Sequence, residues 1–251
     1  MSVPEKIMHF RSERAKELEI VAASIEKNIE SGACGPIQKA ISFLRDKNKI
    51  LPFKNGSTDR NTWGYEINEF EIKIPNSKHL APQGVGNLSL TLDMKIIADC
   101  DNWQNLSDPL RELSFKVIIR GIGDKNYYSG FHLDKHTFNT EGEVHPIYHL
   151  QYLVNPHDDN EFQYGSVLGM DIPRIMHYPL DFILGIGYLT ANFFPIAYET
   201  LLDDGFYYNL YREYQARIWK PYTHTLAGYW KPFDERSISW DPKLVCPFLV
   251  D

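Results

Sequence analysis

The chain has 251 residues, of which 43% are apolar and 24% are charged, and its formal net charge at pH 7 is −7. This composition is typical of a folded globular protein and argues against an intrinsically disordered chain. The acidic balance argues against a broad basic surface for nucleic acid, although a local basic groove stays open. The three cysteines are widely spaced and form no C-x-x-C pair, which argues against a disulfide framework or a zinc knuckle.

The N-terminal segment lacks an apolar stretch of the length found in signal peptides. The longest apolar stretch covers residues 179–194, but it is short and contains Asp181 and Asn192. A membrane-spanning helix needs about 20 predominantly apolar residues. We therefore expect a cytoplasmic protein that is not inserted in a membrane.

Two helices are predicted in the N-terminal part, residues 1–54. Apolar residues recur at roughly helical spacing over residues 4–30, and Pro36 opens a second stretch that runs towards Ile50. After this part, apolar residues recur at every second position. This alternation of apolar and polar residues predicts strands over residues 63–74, 88–98 and 113–120. The apolar parity switches inside the first of these strands, which predicts a bulge or bend near Asn68.

The rest of the chain predicts a hairpin followed by helices. Residues 127–154 read as a β-hairpin and residues 155–178 as an irregular loop. From Pro179 onward the pattern is helical, and it divides into about three helices, the last ending near Lys220 and Pro221. Helices, strands and helices in this order predict an α+β class, with an antiparallel sheet of about five strands. We expect a single domain over residues 1–251, made of N-terminal helices (1–54), a sheet (62–154) and an aromatic-rich helical part (179–251).

Histidines are concentrated in the predicted hairpin. The chain has nine, and two strings, FHLDKH at 131–136 and HPIYHLQ at 145–151, contain four of them. Side chains alternate between the two faces of a strand, so His132, Asp134 and His136 share one face. His145 and His149 share a face of the returning strand in the same way. A loop centred near residues 140 and 141 would place His132 opposite His149, and His136 opposite His145, with Asp134 between the two pairs.

Imidazole and carboxylate groups are the usual ligands of zinc, manganese and iron. We therefore predict a divalent metal site on the solvent-facing side of the sheet, with His132, Asp134 and His149 as ligands. A metal ion lowers the pKa of a bound water and supplies a nucleophile near neutral pH, which favours a hydrolase. His136, His145 and Arg174 are the predicted catalytic residues, with Arg174 holding an anionic group of a small-molecule or phosphoester substrate.

Other interpretations of the histidine cluster stay open. Two histidines and a carboxylate also suit a non-haem iron oxygenase. The cluster could act without a metal, as a catalytic or ligand-binding site, or form an ordinary solvated polar face. His177 and Asp181 could close the site from a later segment, although Asp181 also fits a carboxylate in the first turn of a helix.

The aromatic C-terminal half suggests a different class of function, a non-enzymatic subunit of an assembly with a protein partner or a second copy of the chain. Interleaved basic residues make single-stranded nucleic acid a weaker alternative. The helical spacing of Tyr207, Tyr211 and Tyr214 fits a stripe buried in the core better than it fits a protein interface or a nucleic-acid surface. The pair Gly185 and Gly187 indicates close packing of a helix on the sheet, because the context of a phosphate-binding loop is missing.

Overall fold

The computed structural model describes residues 3–29, 34–74, 84–100, 108–124, 126–136, 146–153, 174–228 and 246–250. The helices in these ranges are α1 (Glu5–Asn28), α2 (Gly35–Arg45), α3 (Phe182–Phe193), α4 (Pro195–Asp203), α5 (Gly205–Tyr214) and α6 (Lys220–Gly228), with a π-helical segment (Gln215–Trp219) between α5 and α6. The strands are β1 (Thr62–Ile74), β2 (Gly86–Asp99), β3 (Leu110–Ile122), β4 (Asn126–Lys135), β5 (Tyr148–Tyr152) and β6 (Ile175–Met176).

The strands form one sheet in which neighbours along the chain pair antiparallel, in the order β1-β2-β3-β4-β5-β6. This confirms the α+β class and the helices on either side of the sheet in sequence. The expectation of about five strands is one short, because β6 was not predicted. β6 has only two residues, and alternation over two residues carries no signal.

β1 contains the predicted irregularity. Its pairing with β2 shifts between Ile67 and Phe70, and Glu69 in this interval has a φ of +58°. The backbone N–H of Glu69 donates a hydrogen bond of 2.7 Å to the Asp93 carboxylate on β2. The bulge lets the apolar residues on both sides of it face the core in spite of their opposite parity.

Helices pack against the apolar face of the sheet, and α3 contacts it through close-packed rings and glycines. The rings of Phe70 in β1 and Phe182 in α3 meet edge to face, 5.7 Å apart. A Cβ atom on Gly185 would lie 2.3 Å from the Phe115 ring of β3, and one on Gly187 would lie 2.3 Å from the Tyr211 ring. These glycines therefore let α3 approach β3 and α5, which confirms the packing interpretation.

Asp181 stands at the N-terminus of α3 and accepts a hydrogen bond of 2.9 Å from the backbone N–H of Leu184. Its predicted role as a helix-terminal carboxylate is thus confirmed. α3 has 12 residues, far fewer than a bilayer span requires. Within the described ranges no helix has both the length and the apolar content needed to cross a membrane.

The C-terminal helices continue further than predicted. Tyr207, Tyr211 and Tyr214 are buried, so the aromatic stripe does belong to the core. The expected end near Lys220 and Pro221 is wrong, because α6 carries the helical path to residue 228. In the preceding π-helical segment the Lys220 N–H donates to the carbonyl of Gln215, five residues earlier. The chain thus leaves the ordinary i→i−4 pattern just before Pro221, the residue that has no N–H to contribute.

Candidate functional site

The polar side of β4 and β5 carries the predicted cluster. His132 and Asp134 alternate with the buried residues Phe131 and Leu133 along β4. On β5, His149 and Gln151 alternate with the apolar residues that face the helices. The predicted common face is therefore confirmed for His132, Asp134, His149 and Gln151. We call the polar set, together with His136 immediately after β4, the histidine face: His132, Asp134, His136, His149 and Gln151.

The predicted pairing within the hairpin is wrong by two residues. Asp134 lies opposite His149, and His132 lies opposite Gln151 rather than His149. Side chains repeat every two residues along a strand, so a shift of two changes partners without moving any side chain to the other face. The predicted pairing of His136 with His145 is not described, since His145 lies outside the described residues.

The histidine face brings three imidazoles and one carboxylate together. His132 Nε2 lies 3.7 Å from Asp134 Oδ2. The ring centroid of His149 lies 6.1 Å from that of His132 and 4.9 Å from that of His136. His149 therefore occupies the middle of the cluster, with Asp134 as its cross-strand neighbour.

Solvent exposure varies across the histidine face. His149 is 1% exposed, whereas the side chains of His132 and Asp134 are 22% and 26% exposed. His136 is exposed. The prediction of a solvent-facing site thus holds for its rim but is wrong for His149, which is buried. A small molecule would approach from the side of His132 and His136.

Asp134 has an unusual hydrogen-bonding state. Its Oδ1 atom is buried and accepts no hydrogen bond from any described residue. Leaving a buried acceptor without a donor costs about 1–3 kcal/mol. A cation, or a donor group of a bound molecule, would remove this cost.

Metal coordination by this cluster is not complete within the part of the chain that the structure describes. No group of three or more histidine, cysteine, aspartate and glutamate side chains in that part is arranged to hold a metal ion. A structural zinc site has four ligands, and a catalytic site typically has three. A site on the histidine face would need a side chain from outside the described ranges, such as His145, or a change of rotamer.

Two basic residues border the histidine face. Lys116 of β3 is the direct register partner of His132, and it was not predicted as a site residue because strand pairing cannot be read from one strand. The alternation of Ser114 and Lys116 with apolar residues was the available signal. The predicted catalytic residue Arg174 is half-buried and precedes β6, two residues before Met176, which pairs with His149.

Lys135, by contrast, is turned to other partners, because its ammonium group contacts Asp108 and the carbonyl of Leu110. His177 and Asp181 are also placed elsewhere. The His177 ring packs on Tyr188, which in turn contacts Phe131 on the apolar face. Burial lowers the pKa of His177 below its ordinary value. Neither residue closes the histidine face as one interpretation expected, because both lie on the helical side of the sheet.

Comparisons of the chain with protein-family models, with curated proteins and with solved structures found no match.

Proposed function

We propose that the protein is a hydrolase whose reacting groups lie on the histidine face. The observation that carries the proposal is the buried Oδ1 of Asp134, which accepts no hydrogen bond from the described residues and stands among His132, His136 and His149. Natural proteins pair the great majority of their buried polar atoms, and an unpaired acceptor beside three imidazoles is consistent with a cation, a water or a donor group of a ligand at this position.

In the first form of the proposal, Asp134, His149 and His132 would hold a divalent metal ion (zinc, manganese or iron), given a change of rotamer or a further ligand from outside the described ranges. Such an ion would lower the pKa of a bound water and so provide a nucleophile. His136 at the rim acts as a proton donor or acceptor, and His145 is the second candidate for this role. Lys116 and Arg174 bind the anionic group of a small phosphoester substrate.

A second form uses no metal. It is favoured by the finding that no three ligating side chains converge within the described part of the chain. Here Asp134, 3.7 Å from His132, orients that imidazole as a general base, as in other histidine–carboxylate pairs. Lys116 compensates charge on the substrate. Both forms suit a reducing compartment such as the cytoplasm, since none of Cys34, Cys100 and Cys246 is joined in a disulfide.

The test combines metal content with hydrolysis. Protein purified without a histidine tag is analysed by mass spectrometry for metals and assayed with p-nitrophenyl phosphate and bis-p-nitrophenyl phosphate. The variant is the double substitution His132→Ala and His149→Ala. Its matched control is His9→Ala with His224→Ala, since both of these helical histidines are exposed.

Near-stoichiometric metal that only the first double variant loses would support the metal form. Zinc or manganese would favour the hydrolase, and ferrous iron the oxygenase. Hydrolysis that this variant loses in metal-free protein would support the second form. Protein with neither metal nor hydrolysis, or with both retained after the two substitutions, would refute the proposal.

A further inference from the structure

A second concave site lies at the edge of the sheet, where Met176, the register partner of His149, forms part of its wall. It is a cavity of about 240 Å³ between the edge at β5 and β6, the π-helical segment and α6. Its apolar wall includes Ile147, Met176, Ile218 and Leu226. Ile147 and Met176 are 59% and 56% exposed, so the mouth of the cavity presents apolar side chains to solvent. Covering such a patch is favourable, and patches of this kind mark binding sites.

Three prolines make the wall rigid and poor in hydrogen-bond donors. Pro146, Pro179 and Pro221 line the cavity from the start of β5, the segment before α3 and the first turn of α6. Proline has no backbone N–H and a fixed φ. These walls therefore present carbon surface that is already held in place, which is the condition under which an apolar ligand binds without ordering its site.

At the polar end of the cavity, the negative charge of Asp108 is already paired with protein groups. The Tyr148 hydroxyl donates to both oxygens of the Asp108 carboxylate, at 2.8 Å each. The same carboxylate accepts from Lys135 Nζ at 2.7 Å and from the Leu110 N–H at 3.0 Å. Burial, followed by the nearby Asp108 charge, raises the pKa of Tyr148 well above its ordinary value, so the phenol stays neutral. The negative charge is thus compensated, and a cationic ligand would have to displace Lys135.

We propose that this cavity binds an uncharged, mostly apolar small molecule, aromatic or branched, of about ten non-hydrogen atoms. The size follows from the volume, since an apolar cavity of about 150 Å³ accommodates benzene. The neutral class follows from the compensated Asp108 carboxylate and the proline-rich wall.

Indole, with nine non-hydrogen atoms, is a suitable probe. It is titrated into protein with labelled isoleucine methyl groups, and binding is followed by two-dimensional NMR. Saturable shifts are expected at Ile147 and Ile218, which line the cavity, and not at the core residues Ile25 and Ile72. Tryptamine and indole-3-acetate, which carry opposite charges, are expected to bind at least about tenfold more weakly.

The blocking variant is Leu226→Trp, which fills the cavity from α6 and is expected to weaken indole binding by at least about tenfold. Phe206→Trp on α5 is the matched control, because Phe206 is exposed and does not line the cavity. Ile147→Trp at the exposed rim gives a second blocked protein, in which Ile218 still reports. Unchanged signals of Ile25 and Ile72 show that each variant is folded.

Binding that is saturable, local to Ile147 and Ile218 and lost on blocking supports the proposal. Absence of saturation, shifts spread over the core isoleucines, or full affinity in both blocked variants would overturn it. Tighter binding of either charged analogue would overturn the neutral ligand class. The inference is independent of the hydrolase, so Asp134→Asn is expected to leave indole affinity unchanged.

Discussion

Glu17 and Asp134 are both partly buried carboxylates, and their surroundings differ. Glu17 of α1 is paired on both oxygens: Oε1 contacts Arg14, and Oε2 accepts a hydrogen bond of 2.6 Å from the Tyr214 hydroxyl. Asp134 has His132 near one oxygen, while its other oxygen is buried and accepts nothing from the described residues. Glu17 joins the N-terminal and C-terminal helices, whereas Asp134 faces a rim open to solvent.

The difference indicates which carboxylate serves stability and which is available for a ligand. A buried polar group with all its partners holds elements together, and a group that lacks one weakens the fold until something binds. Asp181 lies between these cases. One of its oxygens accepts from the Leu184 N–H, while the other is buried without a partner among the described residues.

The largest expected effect is on Glu17. Replacing it by alanine would leave Arg14, which is 4% exposed, as a buried charge without its carboxylate, and would remove the acceptor of the Tyr214 hydroxyl. Breaking a buried pair in this way typically costs about 3–5 kcal/mol. The free energy of unfolding, measured by urea denaturation, is expected to fall by this amount in Glu17→Ala.

Glu13→Ala on the same helix is the control for Glu17, because the Glu13 side chain is 48% exposed and pairs with the exposed His9 at 3.6 Å. Exposed pairs contribute about 0–1 kcal/mol. If the two variants were equally stable, the view that Glu17 ties α1 to α5 would be wrong.

The next effect concerns pH and Asp181. Burial raises the pKa of Asp181 to about 7, against hydrogen bonds from the Leu184 and Ile183 N–H groups that lower it. In the unfolded chain its pKa is about 3.9. Between these values the folded state holds a proton that the unfolded state has released, so stability falls as the pH rises from about 4 to about 7. The two pKa values differ by about 3, and each pKa unit corresponds to about 1.4 kcal/mol, so the loss is on the order of 4 kcal/mol.

Asp181→Asn has no proton to release here, so its stability is not expected to show this fall with rising pH. The free energy of unfolding of the parent minus that of the variant, measured by urea denaturation, should therefore decline between pH 4 and pH 8. Glu17 and Arg14, the charged neighbours of Asp181, are present in both proteins. Asp204→Asn is the matched control. Burial tends to raise the pKa of Asp204, but hydrogen bonds from Ser24, Phe206 and Tyr207 hold it below its ordinary value. Parallel pH profiles for the parent and Asp181→Asn would contradict the raised pKa.

The sequence predicts the faces of the sheet better than its pairing. Alternation assigns His132, Asp134 and His149 to one side correctly, because burial of the intervening apolar residues enforces a period of two. The same period cannot distinguish registers that differ by two residues. The loop between β4 and β5 decides between them, and its length alone did not predict that Asp134 lies opposite His149.

Long-range polar contacts could not be predicted at all. Helical spacing marks the apolar stripe of α1 but gives no reason to bury Glu17, whose partner Tyr214 is 197 residues away. Lys116 was missed for the same reason, since it gains its place beside His132 only through the pairing of β3 with β4. Strand β6 has only two residues and was too short to show a pattern, although it places Met176 next to His149.

The smallest expected effect on stability is the one that most sharpens the comparison. Asp134→Asn keeps the shape of the side chain and removes its charge. Because Oδ1 of Asp134 accepts nothing from the described residues, no protein hydrogen bond to that oxygen is lost. The free energy of unfolding is therefore expected to fall by less than about 1 kcal/mol, or to rise. The cost would fall instead on the metal content or hydrolysis proposed for the histidine face. Asp93→Asn on the same side of the sheet is the control, because Asp93 already accepts from the Glu69 N–H. A destabilisation of Asp134→Asn as large as that of Glu17→Ala would mean that Asp134 holds the fold together, and the distinction between the two carboxylates would fail.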